Sequence, residues 1–490
     1  MRHPRGALLP PIRAERVRGR DLCRTLRNAI LESALGSGQR LPSSRQVAAD
    51  YGVSRGLVEV VYGQLVQEGF LDRGIGRGTF VAAQTAKLDM SRNTKPSRRT
   101  AALSRRGSEA VERAVCREPE VLRPFNAGTA DTREFPWRIW QRLQSAAARG
   151  LGRNALEFAD PRGLPALRTS IARHLTHFRG MLCRPEQVVV FNSSQQALLA
   201  LMLLLLDRGD EAWIEDPCYA GARAACDLAG AVMRPVPVDE HGLCVEIGAR
   251  ASARARLVYV TPSHQYPTGA MMSFERRIAL LEWAARSEAW IVEDDYDSEF
   301  RYRGQPLTPL WQLDIMQRVL YLGTLSKAMF VALRLAYVVV PERLTEPLAN
   351  LRTQIDGFTP ALAQATMSAF MEEGHFPTHL RRMRGIYGAK HAALVSGLAP
   401  LAARGWTWSS EPAGLHVLVR HRSRRHVRAV ADASGLELAF LDACRSRPAG
   451  DDGLLLRFGG LELDSVQRGV DALVAAERQT RGPRRPISAR

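Results

Sequence analysis

The sequence predicts a multidomain chain: a small winged helix-turn-helix of α+β class, then a larger α/β body with a largely parallel sheet. Three observations carry this expectation. At 490 residues the chain is too long for one ordinary core. Its first eighty residues are punctuated by helix starts, glycine stops and a glycine-tipped pair of strand-like runs. From about Phe125, apolar strand-like runs alternate with helical stretches.

Composition narrows the class. The apolar fraction of 46% is that of a soluble globular protein. The most apolar run, Ala197 to Asp207, is too short to span a bilayer, and the N-terminal residues lack the apolar core of a signal peptide. Seven scattered cysteines without a CxxC pair favour neither a disulfide framework nor a zinc site. A reducing cytoplasm is the expected compartment, with no membrane partner. The net charge of +18 suits a polyanionic partner, and residues 1–120 hold 22 Arg and Lys against 12 Asp and Glu.

In the head, expected over residues 15–82, Leu22, Leu26, Ile30 and less regularly Leu35 recur at helical spacing before the breaker Gly36-Ser37-Gly38. Ser43 or Ser44 can cap a short helix through Asp50, with Gly52 permitting a tight turn. Ser54 can cap a second helix with Val58, Val61 and Leu65 on one face, stopped at Gly69. Two short strands then flank a tip from Gly74 to Gly78. In such a fold the helix opened by Ser54 enters the major groove of double-stranded DNA. The candidate DNA contacts are therefore Ser44, Arg45, Ser54 and Arg55, with Gly76 and Arg77 on the wing. Residues 83–123 are polar, charged and weakly periodic, which predicts a flexible linker.

In the body, expected over 124–480, strand candidates fall at 187–192, 211–216, 256–261, 289–294, 318–323 and 335–340. Ligand groups in such sheets gather beyond the C-terminal strand ends. There the sequence places the amides of Ser194, Gln195 and Gln196 at a helix start, the ring of Tyr219, the polar loop with His264, Asp294 with Tyr296, and finally Lys327. Lysine is rare here, since 64 of the 68 basic residues are arginines. Unlike a guanidinium, a lysine amine can lose its proton and act as a nucleophile. Amine, acid, ring and anion cradle together are what pyridoxal 5'-phosphate requires.

The run from "RLPSSRQVAADYGVSR" to "FLDRGIGRGTFV" resembles the GntR-type DNA-binding domain over about residues 20–82. It departs at Gly56 and Leu57, where that family usually has small polar residues. The segments "DPRGLPALR", "HQYPTG", "EDDYDSEFRY" and "GTLSKAMFVALRLAYVVVP" resemble the fold-type I aminotransferase domain of MocR-type regulators. These join a GntR-type head to an aminotransferase-like body. The resemblance implies Lys327 as the lysine that forms the cofactor imine, Asp294 at the pyridine nitrogen, Tyr296 near the phenolic oxygen and Tyr219 stacked on the ring. It implies Ser194, Gln195, Ser326 and Arg334, with Thr324, around the phosphate, and His264 at the ring edge. It further implies a homodimer, head-to-tail, and a bacterial, PLP-dependent transcription regulator sensing an amine or amino-acid effector. An active aminotransferase with an accessory head is the alternative. Three departures stand out. Phe158 replaces a phosphate-binding tyrosine, Ser193 replaces a glycine and is expected to crowd the cradle, and Leu455 stands where a carboxylate-binding arginine is common. Arg457, two positions on, is the candidate for the effector.

Overall fold

The computed structural model describes residues 9–10, 12, 17–74, 77–85, 103–104, 107–108, 111, 121, 123–126, 128–153, 157, 159–304, 307–409 and 411–480. The chain divides into two compact units, residues 1–105 and 106–490. Most of the expected linker, and both Gly76 and Phe158, lie outside the described residues.

The first unit holds helices Gly19–Leu31, Ser44–Tyr51 and Arg55–Gln67, then β1 (Leu71–Gly74) paired antiparallel with β2 (Gly78–Val81). Local chemistry sets the boundaries. Ser43, rather than Ser44, caps the second helix by accepting from the Gln46 amide at 3.3 Å, and Ser54 accepts from the Leu57 amide at 3.2 Å. Gly52 ends the second helix at φ 64°, and Gly69 follows the third at φ 78°. Leu22, Leu26 and Ile30 pack on Val58, Val61 and Leu65 in one core. The first helix stops at Leu31, and Leu35 enters that core from the turn beyond rather than from the helix.

The second unit is built on an eight-stranded mixed sheet in the order β3-β10-β9-β8-β7-β4-β5-β6. Its strands are β3 (Val188–Phe191), β4 (Glu211–Asp216), β5 (Val232–Asp239), β6 (Gly242–Leu243), β7 (Leu257–Val260), β8 (Trp290–Asp295), β9 (Val319–Thr324) and β10 (Ala336–Val339). All six predicted strands are present. The run β5-β4-β7-β8-β9 is parallel, whereas β10 runs antiparallel to both its neighbours. Helices cover both faces, so along β3 Val188 and Val190 enter one core while Val189 and Phe191 enter the other.

A four-stranded antiparallel sheet follows, ordered β11-β12-β14-β13, from β11 (Trp406–Trp408), β12 (His416–His421), β13 (Ala439–Phe440) and β14 (Asp452–Arg457). The 28-residue helix His375–Ala402 precedes it. No described helix is long and apolar enough to cross a membrane.

Candidate functional site

Sheet register gathers the body's candidate residues. Phe191 and Thr324 both pair with Ala336, so β3 and β9 end level on either side of β10. Asp295 pairs with Gly323, Val260 with Glu293, and Ile214 with Tyr259, which brings the ends of β8, β7 and β4 to the same edge. Ser194, Tyr219, His264, Tyr296, Lys327 and Arg334 therefore all leave the sheet along one rim.

Contacts join several of them. Lys327 Nζ donates to the Gly128 carbonyl at 2.6 Å. A Cβ on Gly128 would lie 3.5 Å from both Lys327 Nζ and Arg457 Cδ, so this glycine sits between the two cations. Arg457 donates to the Asn126 carbonyl at 3.2 Å and to the Tyr266 hydroxyl at 3.1 Å. The Tyr266 ring stands edge-on to Tyr219 at 6.2 Å and to Tyr296 at 6.0 Å. The Tyr296 hydroxyl lies 3.1 Å from His264 Nδ1, which Asp297 also meets at 3.0 Å.

Asp294 is buried, and its Oδ2 accepts from the Tyr259 hydroxyl at 2.8 Å. Burial pushes its carboxyl up to about 7, and the Tyr259 hydrogen bond only partly offsets that. A cationic ring nitrogen beside it would restore the carboxylate.

The anion cradle is smaller than its sequence suggests. Ser193 does not simply crowd it. Its Oγ caps the helix Ser194–Leu205 and takes the Gln196 amide at 3.1 Å, which withdraws that donor. The Ser194 and Gln195 amides meet no acceptor among the described residues, as expected for a free helix start. Gln195 Nε2 is committed to the Gly221 carbonyl at 2.9 Å. A Cβ on Gly221 would collide with Gln195 and with the Tyr219 ring, so glycine is what lets ring and cradle approach. Thr324 is buried, and its Oγ1 accepts from the Ser326 amide at 3.2 Å. Arg334 is exposed, at φ 52° just after a tight turn, and forms no ion pair among the described residues. Two free amides, a serine hydroxyl and a guanidinium at one rim suit a phosphate, and a buried acid with an amine suits a pyridine aldehyde. The donor set fits pyridoxal phosphate.

Leu455 is fully buried with Leu418, Leu441 and Cys444, so its side chain is core. Arg457 reaches the cleft instead. Sequence reasoning missed Gly128, Asp297 and His416, whose ring lies 5.3 Å from His264 and 5.1 Å from Tyr266. Asp297 lies in the quoted "EDDYDSEFRY" run, but Gly128 meets Lys327 from 199 residues away and left no local signal.

In the head, Ser54, Arg55, Arg45 and Arg77 are exposed, while Ser44 is half-buried and accepts from Arg55 Nε at 3.4 Å. Hydrogen bonds from Ser44 and from Arg73 hold the Glu59 carboxyl below its ordinary range, with Arg73 2.5 Å away.

Comparison with known proteins agrees with this division. Residues 19–81 match the gntR family of bacterial regulatory proteins, and residues 126–444 match aminotransferase class I and II. The latter match implies pyridoxal 5'-phosphate as cofactor. The chain is 34% identical over 460 residues to the probable rhizopine catabolism regulatory protein MocR of Rhizobium meliloti, covering 93% of each. It is 29% identical over 450 residues to the HTH-type pyridoxine biosynthesis transcriptional regulator PdxR of Corynebacterium glutamicum, covering 91% of this chain and 93% of that one. Among solved structures, LysN, the α-aminoadipate aminotransferase of Thermus thermophilus complexed with N-(5'-phosphopyridoxyl)-L-leucine, matches with TM-score 0.66 and 26% identity. That likeness covers 72% of this chain and 92% of LysN. The chain thus belongs to the MocR-type family, in which a GntR-type winged helix-turn-helix is fused to a fold-type I aminotransferase-like body.

Proposed function

We propose that this protein is a transcription regulator that binds double-stranded operator DNA through its head and senses an amino acid through its body. The observation that carries the reading is the joining, in one chain, of an exposed cationic winged helix to a cleft where Lys327 and Arg457 flank Gly128. An aminotransferase has no need of the former, and a plain repressor has no need of the latter.

Lys327, Asp294, Tyr296, Tyr219 and His264 would hold the cofactor ring, and Ser194, Gln195, Ser326, Arg334 and Thr324 its phosphate. Bound there, pyridoxal phosphate supplies an aldehyde at which the Lys327 amine and an effector amine are alternatives. The Gly128 carbonyl gives the released Lys327 ammonium an acceptor 2.6 Å away. Asp294, held by Tyr259, would accept the hydrogen bond of a protonated ring nitrogen. Arg457 binds the effector carboxylate in exchange for its neutral partners, Asn126 and Tyr266. A ligand moves the DNA-binding equilibrium only by binding one arrangement of the chain better than another. A Lys327 amine free to donate to the Gly128 carbonyl would supply that difference. The body is proposed to assemble as a head-to-tail homodimer, working in the cytoplasm on the chromosome.

Fluorescence anisotropy of the cofactor-loaded protein on DNA from upstream of its own gene, with a panel of amino acids, tests the reading. One amino acid should change the apparent affinity without being consumed. Sustained glutamate formation from that amino acid and 2-oxoglutarate would instead make the protein an aminotransferase, the reading that the Lys327–Arg457 pairing also permits.

A further inference from the structure

A pocket of about 410 Å³ opens between the helix Pro165–Arg179 and the helices Ala361–Glu372 and His375–Ala402. None of the residues proposed for the cofactor or effector lines it. Its floor and walls are apolar, with Phe178, Phe376 and Leu380, while Arg173, Arg381 and Arg384 supply three guanidinium groups. Other arginines of this body, such as Arg162 on Asp160 and Arg179 on Asp295, sit against carboxylates, but none of these three forms an ion pair among the described residues. Arg384 lies over the Phe178 ring at 4.7 Å and spends its Nε on the Glu299 carbonyl at 2.6 Å, which leaves its terminal nitrogens available. The single carboxylate in the lining, Glu372, accepts the Ser170 and Ser368 hydroxyls at Oε1, 3.2 and 3.3 Å away, and is outnumbered by the three guanidinium groups.

His174 lies at the base. Its ring stacks on Phe178 at 5.4 Å and meets Phe376 edge-on at 5.0 Å, and its Nε2 is a buried polar atom with no hydrogen-bond partner. The nearest carboxylate oxygen, on Glu299, is 4.0 Å away. Burial pushes His174 down to about 4, so the ring is neutral at neutral pH, and the tautomer with its proton on Nε2 offers a hydrogen-bond donor there. An orphaned buried donor costs free energy unless a ligand or water supplies the missing partner.

We propose that this pocket is a second small-molecule site, which takes an amphipathic carboxylate with a flat apolar body. The body of such a ligand slides between Phe178 and Phe376. Its carboxylate meets the guanidinium groups and His174 Nε2. The pocket volume lies in the range of small-ligand sites, and apolar walls with a few convergent polar groups are their usual construction.

The probe is 4-fluorobenzoate, titrated into the full-length, cofactor-loaded chain and followed by 19F NMR, with 4-fluorobenzyl alcohol as the uncharged control. Saturable binding of the carboxylate is expected, weakened roughly tenfold or more in the double variant Arg173→Gln/Arg381→Gln. Both arginines are exposed and bear no structural hydrogen bonds, so the variant should keep the wild-type unfolding midpoint. Because Arg457 could itself hold a carboxylate, Arg457→Ala is the second arm, and it should leave this binding in place. His174→Phe, which keeps the stacking, should weaken binding as well. The proposal is overturned if binding is lost in Arg457→Ala yet kept in the double variant. It is equally overturned if the alcohol binds as well as the carboxylate, or if no saturation occurs by about 10 mM, where any remaining affinity is too weak for a built site.

Discussion

Replacing Lys390 by methionine should loosen the body where it holds the segment beside Lys327. Lys390 is one of four lysines in the chain and lies inside the fold, 4% exposed, donating to Asp131 Oδ2 at 2.7 Å and to the Gly459 carbonyl at 2.9 Å. The Asp131 amide also donates to the Tyr387 hydroxyl at 2.8 Å, so the acid's backbone is anchored as well as its side chain. Orphaning one member of a buried ion pair costs about 3–5 kcal/mol. Here Arg133 stays on Asp131 through Nε at 2.9 Å and Nη2 at 2.7 Å, although its side chain is 42% exposed, which trims that figure. The Gly459 carbonyl loses its partner too, while methionine keeps the apolar stem packed. A net loss of about 3 kcal/mol follows.

Urea unfolding followed by tryptophan fluorescence measures it cleanly, because all eight tryptophans lie in the body. With a slope of about 3 kcal/mol per molar urea, the midpoint should fall by about 1 M. Adding Asp131→Asn to Lys390→Met should cost less than the two changes separately, since the first orphan is then discharged. Burial alone would raise the Asp131 carboxyl, but Arg133 and Lys390 hold it below its ordinary range. The stability it contributes is therefore present above about pH 4 and is lost on acidification below that. A midpoint shift under about 0.2 M would refute the assignment of this pair as a structural clamp.

Three further outcomes are expected. Arg457→Ala should raise the effector concentration for half-response about a hundredfold, the loss of two charge-assisted hydrogen bonds, as read by DNA anisotropy. Glu299 is buried and pushed up to about 8, so its folded form holds a proton that the unfolded chain releases near pH 4.5. Stability from this group is greatest in acid and erodes as pH rises to about 8, and Glu299→Gln should flatten that part of the urea-midpoint profile. Arg55→Ala should weaken DNA binding and lower the slope of log affinity against log salt by about 1 if the guanidinium meets a phosphate.

Much of this molecule was legible from its residues because the decisive signals are local. Ser54 and Gly52 write the ends of the helices they bound, and the apolar runs of β3, β4 and β7 to β10 announce a buried sheet. The rim residues follow from those strands, since ligand groups gather where parallel strands end. What stayed hidden depends on contacts distant in sequence. β5 carries Pro235 and Pro237, which lack a ladder donor and argue against a strand, yet it pairs with β4 along its length. The antiparallel sheet β11 to β14 rests on short strands with no alternation long enough to read. Counting positions from a family pattern put Leu455 at the effector's place, but strand packing sends Leu455 into the core and Arg457 into the cleft. Gly128 could be found only once the fold had brought it against Lys327.

The central claim is that Lys327 is the contact of a chemical switch whose state is read on DNA. Titrating the responsive amino acid into cofactor-treated Lys327→Ala bound to operator DNA tests it most directly, by anisotropy alongside the unaltered protein. The variant should bind the DNA and give no response to the amino acid at any concentration that saturates the unaltered protein. A response equal to that of the unaltered protein would contradict the account.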